Sequence, residues 1–181
     1  MDDPLVSGFM ERAGLTPADG VCAVVEALRR MPYGRPEPRT EAGLVAQWKG
    51  TCSTKHAVLV RCLAELEPGS NPRLVHRVYR VSPAAAEERF GPAAARVVPP
   101  GGLVDVHTYV VATLAGRDVT LDVTFPGPPW DGASDMPVAA AAGRDVPAGP
   151  DPAATKAALV RAHCDPAARE PFIAALAGSA P

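Results

Sequence analysis

The chain has 181 residues, with 18 Lys+Arg against 20 Asp+Glu and a formal net charge of −2. That length suits a single domain whose core needs neither disulfide nor metal, and the near-neutral balance excludes a strongly basic nucleic-acid surface. Hydrophobic residues at 47% and charged residues at 21% exclude a wholly disordered chain. Two departures stand out: 21 prolines and an aromatic content of only 5%. Proline stops helices and leaves central strands, so the chain must be cut into short elements.

The opening MDDPLVSGFMERAG carries acid where a signal peptide carries Lys or Arg, and it has no apolar run. No stretch approaches 18 consecutive apolar residues, so no membrane span is expected. The four cysteines, Cys22, Cys52, Cys62 and Cys164, form no C-x-x-C. A cytoplasmic, reducing environment with free thiols is the expectation, and with it no metal, no cofactor, no membrane partner and no nucleic-acid partner. Lys is scarce and Arg plentiful, which together with the Ala, Pro and Gly load points to a GC-rich coding sequence.

In chain order, residues 17–31 read as a helix with Pro17 in its first turn and the stripe Val21, Val24, Val25, Leu28. Arg29 and Arg30 suit its negative end. PYGRPEPR, at 32–39, is a loop, and a short helix is expected at 41–48. Residues 52–66, CSTKHAVLVRCLAEL, make the strongest helix: Thr51 is an N-cap candidate, Pro68-Gly69 follow it, and Val58, Leu59, Cys62, Leu63 and Leu66 form one stripe. A strand is expected at 74–81, then a short helix and a loop across 82–102. Two strands at 104–114 and 118–125 are joined by a turn at residues 115–117. Residues 126–153 read as irregular, and two helices at 153–163 and 167–177 are interrupted by Asp165-Pro166. This order of helices, small antiparallel sheet and helices predicts an α+β fold in one domain spanning 1–181.

Cys52 is the first chemical candidate. In the first turn of its helix, unpaired N–H groups and the positive dipole end stabilise a thiolate, which is the nucleophilic form. His107 is the second. Strand alternation puts it on a polar face with Asp105, Tyr109, Val111 and Thr113, opposite Val104, Val106, Val110 and Leu114. On the next strand Thr120, Asp122 and Thr124 share a face. A two-residue loop at Ala115-Gly116 would pair Leu114 with Arg117 and make Asp122 a diagonal neighbour of His107, at about 7–8 Å. A Gly116-Arg117 loop would separate them.

GTCSTKHAVL (50–59) and VHTYVVATLAGRDVTLDVTF (106–125) resemble the Cys-bearing helix start and the His and Asp-x-Thr strands of the transglutaminase-like, papain-like cysteine superfamily. The resemblance implies an N-terminal set of helices, including the Cys helix, packed on a small antiparallel sheet. It also implies a Cys-His-Asp triad with Cys52 as nucleophile, His107 as base and acid, and Asp122 orienting the imidazole. The usual His-Ala-Trp is His107-Thr108-Tyr109 here, so the pocket aromatic is Tyr109. Trp48, four residues before Cys52, is a candidate pocket wall. Gln47 is a candidate oxyanion donor by analogy with papain-like enzymes, beside the backbone N–H of Cys52, and Thr51 belongs to the same rim. His56 and Lys55 are expected to be structural or to line the pocket, because Cys52 and His56 alone are too few ligands for zinc.

The remaining singled-out residues take plain readings. Cys22, Cys62 and Cys164 read as core or incidental, His76 as part of a solvated Arg-rich edge, and Asp105 and Asp118 as turn and rim charges. The expected function is a cysteine-dependent enzyme acting on an amide or thioester of a small-molecule or peptide acyl substrate, as hydrolase or amine acyltransferase. The alternative is a non-catalytic binding or assembly protein on the same fold.

Overall fold

The computed structural model describes residues 2–178, which form two compact units. The first comprises the chain up to Leu74 together with Tyr109–Val138; the second comprises Val75–Thr108 and the chain from Ala139 onward. Eight helices among the described residues accompany one four-stranded sheet, and the fold is α+β. The strand order is β3-β2-β1-β4, with β1 at Arg73–Val81, β2 at Leu103–Leu114, β3 at Arg117–Leu121 and β4 at Gly143–Pro147. Both ladders with a defined register, β2/β3 and β1/β4, are antiparallel.

The first unit begins with α1 (Pro4–Ala13), which the sequence reading had not assigned. Its signals are local: Asp3 accepts the Leu5 N–H at 2.8 Å, Pro4 opens the first turn, and Gly14, at φ 69, closes it on the Glu11 and Met10 carbonyls. A single 3-10 turn at Pro17–Asp19 leads into α2 (Gly20–Arg30), so the predicted helix is real but its first turn is tighter. Then come α3 (Glu41–Gln47) and α4 (Cys52–Leu66), the latter with the predicted bounds. Val6 and Phe9 of α1, the predicted stripe of α2, and Val58, Leu59, Cys62 and Leu63 of α4 share one core with Val110, Ala112, Val119 and Leu121 of the sheet. The β2/β3 register pairs Leu114 with Arg117, so the connection is the two-residue Ala115-Gly116 loop. Both loop residues have positive φ, 49° and 80°, as a primed hairpin turn requires.

The second unit holds α5 (Pro83–Phe90), α6 (Pro92–Val97), α7 (Pro152–His163) and α8 (Pro166–Gly178). Much of the proline excess is spent at helix starts: Pro4, Pro83, Pro92, Pro152 and Pro166 each open a helix, where the missing N–H costs nothing. Strand β4 lies within the stretch expected to be irregular. It covers β1, pairing Val75–Tyr79 against Gly143–Pro147, and so overturns the reading of β1 as a solvated edge. His76 is accordingly 1% exposed. Its Nε2 faces the Pro152 carbonyl at 3.0 Å and so carries the proton, leaving Nδ1 to accept from Thr108 Oγ1 at 3.1 Å; Lys156 Nζ donates to that same hydroxyl at 2.8 Å. Burial, then the Lys156 charge, pushes His76 down to about 4. Asp105 is no rim charge either: it is buried and pairs with Arg169 Nε at 2.6 Å.

Candidate active site

The site is built around the start of α4. Gly50 precedes it without a side chain because a Cβ there would come within 2.5 Å of Leu44 Cδ1 and 2.9 Å of Lys55 Cγ. Thr51 is the extended N-cap residue, at φ −89 and ψ 173; its N–H donates to Thr54 Oγ1 at 3.0 Å and its carbonyl accepts the Lys55 N–H at 3.0 Å. Cys52 is therefore the first helical residue, as expected, with a side chain in surroundings that leave the residue 7% exposed.

Lys55 and His56, three and four residues on, project from the same face. His56 is fully buried. The Val123 N–H donates to its Nε2 at 2.9 Å, so the proton sits on Nδ1, which donates to the Cys52 carbonyl at 2.6 Å. Asp122 Oδ1 lies 3.4 Å from Nε2, but two acceptors face each other there and no ion pair forms. Asp122 Oδ1 instead accepts the Thr124 N–H at 3.0 Å. Lys55 is 0% exposed and donates through Nζ to the Met31 carbonyl at 2.6 Å and the Thr124 carbonyl at 2.9 Å. Desolvation pushes its ammonium down to about 7, against the upward pull of Asp122 and Cys52.

These bonds explain why β3 stops at Leu121, four residues short of the strand expected from the sequence. Beyond that point the backbone gives Val123 N–H to His56 and the Thr124 carbonyl to Lys55, so it leaves the ladder with β2. Arg29 continues the anchoring. It lies in the last turn of α2, as expected, and its buried side chain donates to the Phe125 carbonyl at 3.3 Å and the Pro128 carbonyl at 2.6 Å. A Cβ at Gly127 would lie 2.0 Å from its Nη2. Thr124 Oγ1 is buried with no hydrogen-bond partner among the described residues.

Of the predicted triad residues, Cys52 and Asp122 come together in the first unit, linked through His56. His107 belongs to the second unit, 5% exposed and edge-on to the Tyr79 ring at 6.5 Å. Tyr109 is 5% exposed, also buried. Gln47 is exposed, and its amide donates to the Glu37 carbonyl. Trp48, in the left-handed region at φ 52, stacks on Phe9 at 5.7 Å under the Arg12 guanidinium. Burial pushes the Cys62 thiol up to about 12 and raises that of Cys164, which disfavours the thiolate in both; Cys22 is exposed. Among the described residues no group of three or more His, Cys, Asp or Glu could hold a metal ion, and no helix is long and apolar enough to cross a membrane.

Lys55 and His56 are structural, as expected, but the full burial of Lys55 and its two carbonyl partners were not foreseen. The signal for burial was present, because Lys55 and His56 continue the buried stripe of Leu59, Cys62 and Leu63 at helical spacing. Compared with protein-family models, with curated proteins and with solved structures, the chain matches none.

Proposed function

We propose that the protein is a cysteine-dependent enzyme acting on an acyl bond, with Cys52 as nucleophile, His107 as general base and acid, and Asp122 as the carboxylate that orients the imidazole. The observation that carries this reading is the junction in the first unit: Cys52 opens a fifteen-residue helix, and the segment bearing Asp122 is bonded to that helix's first turn. The resemblance of 50–59 and 106–125 to the transglutaminase-like superfamily supports the same assignment and supplies His107.

In this reading His107 takes the Cys52 proton and the thiolate attacks the carbonyl of an amide or thioester. The Cys52 N–H, at the helix start, is the oxyanion donor. The C–N or C–S bond breaks, the leaving amine or thiol takes the proton from His107, and an acyl-cysteine thioester remains. Water or an amine, deprotonated by His107, then releases a carboxylic acid or a new amide and restores the thiol. His56 cannot serve as the base, since both of its ring nitrogens are engaged by backbone groups.

Iodoacetamide labelling of the folded protein below pH 7, mapped by mass spectrometry, tests the assignment. Stoichiometric modification of Cys52, lost in His107→Ala, is the expected result. Labelling of Cys22 ahead of an inert Cys52 would instead favour a binding or assembly protein.

A further inference from the structure

We propose that Lys55 is a positioning residue of this site: it fixes the Asp122-bearing segment against the start of α4 and sets the charge in which Cys52 ionises. The inference rests on the acyl-transfer reading for its purpose, but on separate observations for its substance.

The first observation is geometric. A lysine with no exposed surface needs a reason, because ammonium groups are the most strongly hydrated of side-chain cations. Here the stem passes the face of Gly50, where a Cβ would stand 2.9 Å from Cγ, so the path is cleared by the one residue type without a side chain. The head reaches two carbonyls from different elements: Met31, just after α2, and Thr124, just after Asp122. Lys55 thus joins α4, the end of α2 and the Asp-x-Thr segment at one atom. His56 makes the parallel link from the Cys52 carbonyl to Val123 N–H. Between them the two side chains satisfy backbone groups on both sides of the Asp122–Val123 peptide's successor, in the stretch where no β ladder does so.

The second observation is electrostatic. The groups facing Lys55 are Cys52 and neutral His56 on its own helix and Asp122 after β3. Arg29 of α2 is bonded to the Phe125 and Pro128 carbonyls and paired with Glu26. A buried cation between a carboxylate and a thiol favours the ionised form of both. Neutral His56 contributes no charge, so among these groups Lys55 alone supplies the positive field. The helix start and the ammonium then act in the same direction on the Cys52 sulfur.

The test is the pH profile of Cys52 alkylation by iodoacetamide, measured on the full chain between pH 5 and 9. In Lys55→Met, shown to be folded by circular dichroism, the profile should move to higher pH by about one unit, or about tenfold slower labelling below its midpoint. A folded Lys55→Met with the wild-type profile overturns the inference. If that variant fails to fold, unmutated protein carrying 13C-labelled lysine decides the matter. Its Lys55 side-chain NMR midpoint should fall when Cys52 is alkylated, because the anion that supports the ammonium is removed; an unmoved midpoint overturns the inference. His107→Ala separates the two proposals. If His107→Ala leaves the labelling untouched while Lys55→Met shifts it, the triad fails and the role of Lys55 stands; the opposite pattern removes Lys55 and keeps the triad.

Discussion

His56 in the first unit and His76 in the second are both essentially without exposed surface, at 0% and 1%, and each uses both ring nitrogens. They differ in what they join. His56 closes a circuit between two backbone groups, taking Val123 N–H and giving to the Cys52 carbonyl. His76 ends a relay of side chains that starts and finishes on α7: Lys156 to Thr108, Thr108 to His76, and His76 to the Pro152 carbonyl. A backbone circuit holds its geometry as long as the helix and the segment exist. A side-chain relay depends on the protonation of each member, and one of its members is a histidine already biased by a neighbouring ammonium. The same residue type therefore serves as a fixed strut in one unit and as a pH-sensitive joint in the other.

The largest effect should come from breaking the strut. His56→Ala leaves a buried N–H and a buried carbonyl unpaired and opens a cavity in the first unit, at a cost of about 4 kcal/mol in urea unfolding. A loss below about 1 kcal/mol would mean that the Val123 and Cys52 groups find other partners and that the circuit is not structural.

Next in size is the acid response of the second unit. His76 is lowered from 6.5 to about 4 by burial, then by the Lys156 and His107 charges, with the Pro152 hydrogen bond opposing. Its folded value lies below its unfolded one, so the unfolded chain binds more protons between these two pH values. Its contribution is complete above pH 6.5 and is lost as pH falls toward 4, up to about 3 kcal/mol in all. Hydrogen exchange should show α7 losing protection first across this window, while the first turn of α4 stays protected. In His76→Leu the slope assigned to this group should vanish; a slope that persists would place the acid-sensitive joint elsewhere.

What could be read from the sequence divides along the same line. The bounds of α4 and the stripe of α2 rest on local periodicity and are found as expected, while of the two hairpin loops that turn chemistry left open the structure has Ala115-Gly116. β4 was not legible, since GRDVP has little strand character and gains its pairing only from β1. His76 and Asp105 were then misjudged as solvent-facing because the elements that bury them, β4 with α7 and α8, are distant in sequence. The early end of β3 escaped for a related reason: its apolar alternation runs on to Phe125, but the buried side chains of α4 and α2 outbid the ladder for the same backbone groups. For the candidate site, Cys52, Asp122, His56 and Lys55 could all be named from the sequence, whereas the full burial of Lys55 and its bonds to the Met31 and Thr124 carbonyls required the fold.

The smallest effect separates geometry from charge at the starts of two helices, α4 and α7. Thr54→Val removes the oxygen that accepts Thr51 N–H while keeping the branched side-chain volume, and Asp151→Ala removes the carboxylate that accepts Ala154 N–H at 2.9 Å at the start of α7. Each should cost about 1 kcal/mol, the usual worth of a cap. Neither substitution changes the charges facing Cys52, so neither should shift the pH midpoint of its alkylation, although Thr54 lies only two residues from it. A midpoint shift in Thr54→Val comparable to that of Lys55→Met would show that the order of the helix start, and not the ammonium beside it, governs the thiol.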